Sequence, residues 1–248
     1  MFRKLMCLSF VVLLSGLAVP SVDKPADSAL AAYWKFDETS GTTALDSSGN
    51  GNNGTLVGDP KWVAGKFGGA LEFNGNDYVN CGNGPAIQLR NQMTIAFWFK
   101  VQAFSSNWEA FLAKGDGAYR ASSAGSGKAT HMGITAGNFF DGTIIVTDNQ
   151  WHHWCGTYDG TTAKIFVDGK LDAQRTYGGQ IGDSRSYNLY IGENSQAPGR
   201  FLHGLMDEVR LYNRALTDVE IMDVMAGPGS GTGGRTGAGA GTERPMKR

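Results

Sequence analysis

Charge is scarce in this chain. Charged residues make up 18% of it, against about 25% in an average soluble protein. The 22 Lys and Arg nearly balance the 23 Asp and Glu, leaving a net charge of -1. No field draws a polyanion, so nucleic acid is not an expected partner. Cysteine is sparse too: three residues are too few for a disulfide scaffold. Beyond the N-terminus no apolar run reaches the roughly 18 residues of a membrane-spanning helix. Gly-x-Ser-x-Gly, His-Glu-x-x-His and a phosphate loop are all missing, which removes the best-marked hydrolase and nucleotide sites. What is abundant is glycine, 36 of 248 residues, about twice the usual ~7%. With 13 Phe, 8 Tyr and 6 Trp, this composition indicates a β-rich chain with many tight turns.

The ends differ from the middle. Residues 1–18 carry Arg3 and Lys4, then an apolar stretch from Leu5 to Leu14, then Gly16-Leu17-Ala18. That is the pattern of a cleaved signal peptide, and it predicts a secreted, periplasmic or cell-surface protein. Residues 19–31 read as a linker with Pro20 and Pro25, and 227–248 as a Gly-rich flexible tail. The domain is expected over 32–226, at a size that suits one core. Cys7 leaves with the signal. Cys81 and Cys155 stay, as buried thiols or as a disulfide that export would permit.

Period-two segments recur between turn signals inside the domain. Thr94 to Lys100 is apolar on both faces, as a central strand is, and Trp151 to Tyr158 is another candidate. Lys164 to Leu171 reads as a hairpin, because Asp168-Gly169 supplies the two positive-φ residues of a type I′ turn. Tyr187 to Ile191 and Leu202 to Tyr212 complete the main strands. The expectation is an all-β jelly-roll sandwich of two antiparallel sheets. One short C-terminal helix follows, with Thr217 and Glu220 as a capping box, Leu216 and Ile221 as a staple, and Gly227-Pro228 as its stop.

Several of these segments together resemble the laminin-G-like, concanavalin A-like lectin/glucanase family. They are Ala32-Tyr33-Trp34-Lys35-Phe36-Asp37-Glu38, the Asp46 to Asn52 loop, Gly69-Ala70-Leu71-Glu72-Phe73-Asn74-Gly75, Trp151-His152-His153, Phe166-Val167-Asp168-Gly169-Lys170 and Asp207 to Leu216. The resemblance spans nearly all of 32–226 and implies the jelly roll. It also implies a calcium site in many relatives, near where the first and last strands meet. This fold carries lectins, adhesion modules and glycosidases, so function rests on sites.

Glycosidases of this fold use paired carboxylates two or four apart on one strand face. No such run is present: Asp218 and Glu220 fall in the helix cap, and Asp37-Glu38 and Asp207-Glu208 are adjacent. No catalytic residue is therefore expected, and His152 and His153 read as structural. The Asp46-x-Ser48-x-Asn50-Gly51 run begins like an EF-hand loop but ends on Val57, so that motif is rejected. Strict alternation through Leu205, Asp207, Val209 and Leu211 would turn Asp207 into the core, where a carboxylate needs a cation or several donors. Calcium held by Asp207, Asp37 or Glu38 and the Asp46 loop is the expectation that follows, with Glu208 and Arg210 pairing in solvent. Aromatic platforms for a sugar are sought at Trp108, Tyr119 and Phe140. The leading function is a monomeric carbohydrate-binding module, with a protein-binding adhesion module and a divergent glycoside hydrolase as alternatives.

Overall fold

The computed structural model describes residues 27–228 apart from Ser126 and Ser184. The expected signal peptide, most of the expected linker and residues 229–248 lie outside the described residues. In chain order the first strands are β1 (Leu30–Trp34), β2 (Thr43–Ala44), β3 (Gly54–Val57), β4 (Lys61–Ala64), β5 (Gly69–Asn74) and β6 (Tyr78–Asn80). After a 3-10 turn come β7 (Met93–Lys100), β8 (Ala110–Ala113), β9 (Arg120–Ser123), β10 (Thr130–Thr135) and β11 (Asn138–Asp141). The last are β12 (Trp151–Tyr158), β13 (Thr162–Val167), β14 (Lys170–Thr176), β15 (Tyr190–Ile191) and β16 (His203–Tyr212), followed by helix α1 (Asp218–Met225). Strand β1 starts at Leu30, inside the segment read as linker, because Leu30 pairs with Tyr212.

Two antiparallel sheets form. Sheet A runs β14-β13-β12-β7-β16-β5-β4, with β1 on β16, and sheet B runs β11-β10-β9-β8-β15-β6-β3-β2. Their inner faces interdigitate as an aromatic core. Phe97 and Phe99 of sheet A meet Phe111 of sheet B at ring distances of 5.2 and 4.7 Å, and Trp154 stacks on Phe97 at 5.2 Å. A smaller cluster of Ala96, Cys155, Phe166, Tyr212, Leu216 and Ile221 lies on the outer face of sheet A, under α1. Both cysteines are buried and free, one in each cluster. Among the described residues no helix is long and apolar enough to cross a membrane.

Local chemistry sets the punctuation. Asp168 and Gly169 take φ of 50° and 73°, joining Val167 to Lys170 as the type I′ turn requires. Thr217 and Glu220 close the capping box around the start of α1.

Strand β16 departs from simple alternation. Asp207 pairs with Trp98 and Arg210 with Ala96, so Glu208 and Val209 together face the single residue Phe97. This is a β-bulge with Glu208 at φ 56°. The extra residue reverses the strand's phase. Met206, Val209 and Leu211 reach the core, and Asp207 and Arg210 turn to the outer face.

Truncating Phe111 to Ala should cost ~3–5 kcal/mol, because three aromatic neighbours lose their packing. Thr217→Ala removes only a cap and should cost about 1 kcal/mol. Urea unfolding of the two variants checks the order; equal losses would contradict it.

Candidate functional site

The inner residues of sheet B, among them Met132, Ala121, Leu112, Ile191 and Val79, are fixed by the core. Their neighbours must therefore point outward. Register then makes one continuous row across the outer face: Phe139, Gly133, Arg120, Ala113, Tyr190, Asn80, Thr55 and Thr43. At about 4.8 Å per strand, Phe139 and Tyr190 stand roughly 19 Å apart.

Aromatic rings, amides and charges share this face. Tyr78 and Tyr190, both half-buried, lie with ring centroids 4.5 Å apart at 34°, and Phe201 adds a third ring 6.4 Å from Tyr78. Asn188 donates to the Asn80 side chain at 3.1 Å. Asp116 accepts from Arg200 at 2.7 Å and Asn194 at 2.8 Å, and lies 3.6 Å from Arg120 Nε. The Arg120 side chain rests on Gly133, where a Cβ would come within 2.4 Å of the guanidinium. Lys114 is buried, donates to Asn83 Oδ1 and the Tyr187 carbonyl, and is brought down to about 8 by burial. It ties together the loops beside the tyrosine pair.

A second row holds Asp141, His131 and Ser122 side by side on three strands. His131 Nδ1 lies 2.7 Å from Asp141, and its Nε2 is buried without a partner. Burial, reinforced by the charge of Arg120, brings His131 down to about 4 against the pull of Asp141, so the ring is neutral at physiological pH. The residue types match a nucleophile, base and acid, but the Ser122 hydroxyl donates to the Ser123 carbonyl at 3.0 Å and is buried. The Trp108 ring meets His131 edge-on at 4.7 Å and rests on Gly125, where a Cβ would stand 2.2 Å away. Asp141 and His131 thus support Trp108.

The sequence-derived ligand residues divide. Trp108 is half-exposed on this face. Tyr119 is core: it is 1% exposed and its hydroxyl donates to the Ile87 carbonyl. Phe140 also points inward, and its neighbour Phe139 takes the outward place, 46% exposed, because register with β10 puts Phe140 opposite Met132. Tyr78, Tyr190, Asn80, Asp116 and Arg200 escaped the sequence reading. Alternation around Val79 does put Tyr78 and Asn80 on one face, but their meeting with Tyr190 is long-range.

The four carboxylates expected to hold calcium do not converge. Among the described residues no three His, Cys, Asp or Glu side chains form a metal-holding group. Asp46 accepts from the backbone N–H groups of Tyr33, Ser48 and Asn52 and from the Asn52 amide. Burial pushes its carboxyl up, but hydrogen bonds from Ser48, Asn52 and Tyr33 outweigh that and hold it low. It is a loop anchor with its oxygens already occupied. Asp37 accepts from Gly69 N–H and Glu38 from Leu45 N–H. Asp207 is buried as expected but on the opposite face, because of the bulge. The turn between β4 and β5 covers it, with Phe67 N–H donating at 2.9 Å while Oδ1 has no partner. Glu208 and Arg210 do pair, yet buried rather than in solvent. The Tyr33 hydroxyl donates to Glu208 at 2.6 Å and accepts from Arg210 at 2.6 Å.

The two packed antiparallel sheets form a jelly-roll β-sandwich. The chain belongs to the concanavalin A-like lectin/glucanases superfamily, whose family profile matches residues 73–222, more than half of its length. No curated protein sequence matches it. Among solved structures it is similar to domain 4 of AbnA, a GH43 extracellular arabinanase from Geobacillus stearothermophilus, in complex with arabinotriose. The identity is 24% and the TM-score 0.65, over 79% of this chain and 97% of that one. It is also similar to a botulinum neurotoxin type C structure, from work on cell entry dependent upon interaction with two ganglioside molecules. There the identity is 13% and the TM-score 0.59, over 77% of this chain and 49% of that one. A Trypanosoma rangeli sialidase mutant displaying trans-sialidase activity matches at 18% identity and TM-score 0.59, over 78% of this chain and 32% of the other.

Burial, with the adjacent Glu208 charge, pushes Asp207 up to about 7, above an unfolded value near 3.9. Folding therefore favours its protonated form. That contribution is complete below pH ~4 and is lost as pH rises through ~7. Asp207→Asn should gain ~1–3 kcal/mol on the wild type between pH 4 and 8. Chemical denaturation at the two pH values measures the difference; a constant gap would refute the assignment.

Proposed function

We propose that the protein is an exported, non-catalytic carbohydrate-binding module whose ligand lies on the outer face of sheet B. The observation that carries this reading is the Tyr78–Tyr190 pair flanked by Asn80, Asn188, Arg200 and Asp116. Aromatic faces take the C–H surface of a sugar ring, while amides and charges take its hydroxyls. One similar structure is a complex with arabinotriose, and another is of a neurotoxin whose cell entry is dependent upon interaction with gangliosides, which supports the ligand class. The carboxylates of this face support binding without hydrolysis. Asp116 is held by Arg200, Asn194 and Arg120, and Asp141 by His131. That leaves no free pair to serve as acid and nucleophile.

Tyr190→Ala should weaken oligosaccharide binding at this face about tenfold or more without unfolding the domain, as titration calorimetry and a thermal melt would show. Full affinity in Tyr190→Ala, or release of reducing ends from a polysaccharide by the wild type, would end this reading. Export is checked separately: N-terminal sequencing of protein from the native host should begin near Val19, and a chain still starting at Met1 would contradict it.

A further inference from the structure

Near the start of β12 two adjacent histidines take opposite sides of sheet A. His153 meets Trp98 on the outer face. His152 lies 6.0 Å from the Phe99 ring, at the rim of the aromatic core, with its side chain 13% exposed. Its Nδ1 is 2.8 Å from Asp168 Oδ2, in the β13–β14 turn. Its Nε2 is 3.1 Å from Asp148 Oδ1, in the segment between β11 and β12. These two carboxylates are the charges that face the ring, one from each packed segment, while β7 places Phe99 opposite it. Lys100 and Lys170 stand at neighbouring register positions, opposite Trp151 and Val167.

A neutral imidazole has one N–H and one lone pair. It donates to one of these carboxylates and turns its lone pair on the other. Only the imidazolium donates to both. Asp168 is fixed independently: its Oδ1 accepts from His153 N–H at 2.9 Å, and its own N–H donates to the His153 carbonyl at 2.9 Å. The other end has fewer ties. Thr143 and Ile144 donate to Asp172, and Val146 donates to the Lys128 carbonyl. Beyond Val146, Asn149 N–H donates to the Val101 carbonyl at 3.0 Å, and Asp148 Oδ1 accepts from Gln150 N–H and from His152. Asn149 itself sits at φ 60°, where non-glycine residues are uncommon.

We propose that His152 is a proton-operated latch: as an imidazolium it ties residues 147–150 to the β13–β14 turn, and on losing its proton it releases them. Burial pulls His152 down, but its bonds to Asp168 and Asp148 outweigh burial and raise it above the ordinary value. With the folded value raised, the latch is fully closed below the unfolded value of about 6.5 and opens as pH rises through the folded one. Each unit by which closure raises His152 changes the ratio of closed to open segment about tenfold across the titration. The latch uses no residue of the Tyr78–Tyr190 platform and stands without the outer-face reading.

An NMR titration of the histidine rings between roughly pH 5 and 9 reads the proton, with His152→Gln assigning the signal among the four histidines. His152 should titrate above its value in the unfolded chain, and Asp148→Asn and Asp168→Asn should each lower its midpoint. Both variants keep the side-chain shape, and Asn tolerates the φ of 50° at position 168. Hydrogen exchange of the Asn149 amide, corrected for its intrinsic rate, reads the segment. Its protection should fall across the same pH range, by about tenfold more than in His152→Gln for each unit of raised midpoint. Asp207 also titrates there, but it is common to both proteins and drops out of the comparison. A His152 midpoint at or below the unfolded value would overturn the proposal. So would a midpoint unmoved by both Asp→Asn variants, or Asn149 protection with the same pH dependence in wild type and His152→Gln.

Discussion

One strand must serve three neighbours, and the bulge at Glu208 allows it. Strand β16 pairs with β7 along one side, and along the other with β5 up to Met206 and with β1 from Val209 onward. The bulge sits between these two partners. It turns Val209 and Leu211 into the core and sends Asp207 and Arg210 outward. The positive φ of a non-glycine residue is strained, and such a conformation persists only where its surroundings over-determine it. Here the surroundings are the Glu208–Arg210–Tyr33 network, with the Arg210 guanidinium 4.1 Å from the Tyr33 ring centre. Removing Glu208 or Arg210 would leave the other charge buried and unpaired, which typically costs ~3–5 kcal/mol.

The same principle, a core that dictates the opposite face, builds the candidate sugar platform. Apolar side chains from both sheets lock each strand's register, since a one-residue slip would exchange its two faces. Tyr190, Arg120 and Phe139 are then aligned without touching the core themselves. Around them the loops are held by polar anchors. Glu193 accepts from the N–H groups of Asn194, Gly199 and Arg200, and Gln196 accepts from Gly117. A platform fixed in this way loses little conformational freedom on binding, which favours affinity.

The carboxylates show how placement overrides residue type. Asp46, Asp37, Glu38 and Asp207 all belong to segments that suggested a shared cation. Asp46 is saturated by donors, and Asp207 is sealed under the β4–β5 turn. Only Asp37 and Glu38 keep company, in a cleft beside Trp62. Net charge and composition do not distinguish these fates; hydrogen-bond partners do.

Features set by a few adjacent residues were legible in the sequence. Asp168-Gly169 makes its turn because both residues tolerate positive φ, and Thr217 with Glu220 caps α1 through neighbours three apart. The sandwich itself was legible, since Thr94–Lys100 is apolar on both faces, as a central strand is, and turn signals separate it from further strand segments such as Trp151–Tyr158. Tertiary structure alone decided which face each functional side chain took. Nothing around Glu208 announces a bulge, so counting in twos turned Asp207 the wrong way. In Phe139-Phe140 both residues are apolar, and only pairing with β10 selects the outward one. Tyr78 meets Tyr190 across a long stretch of chain. That meeting depends on strand order and register, which arise from packing the whole core and leave no local trace.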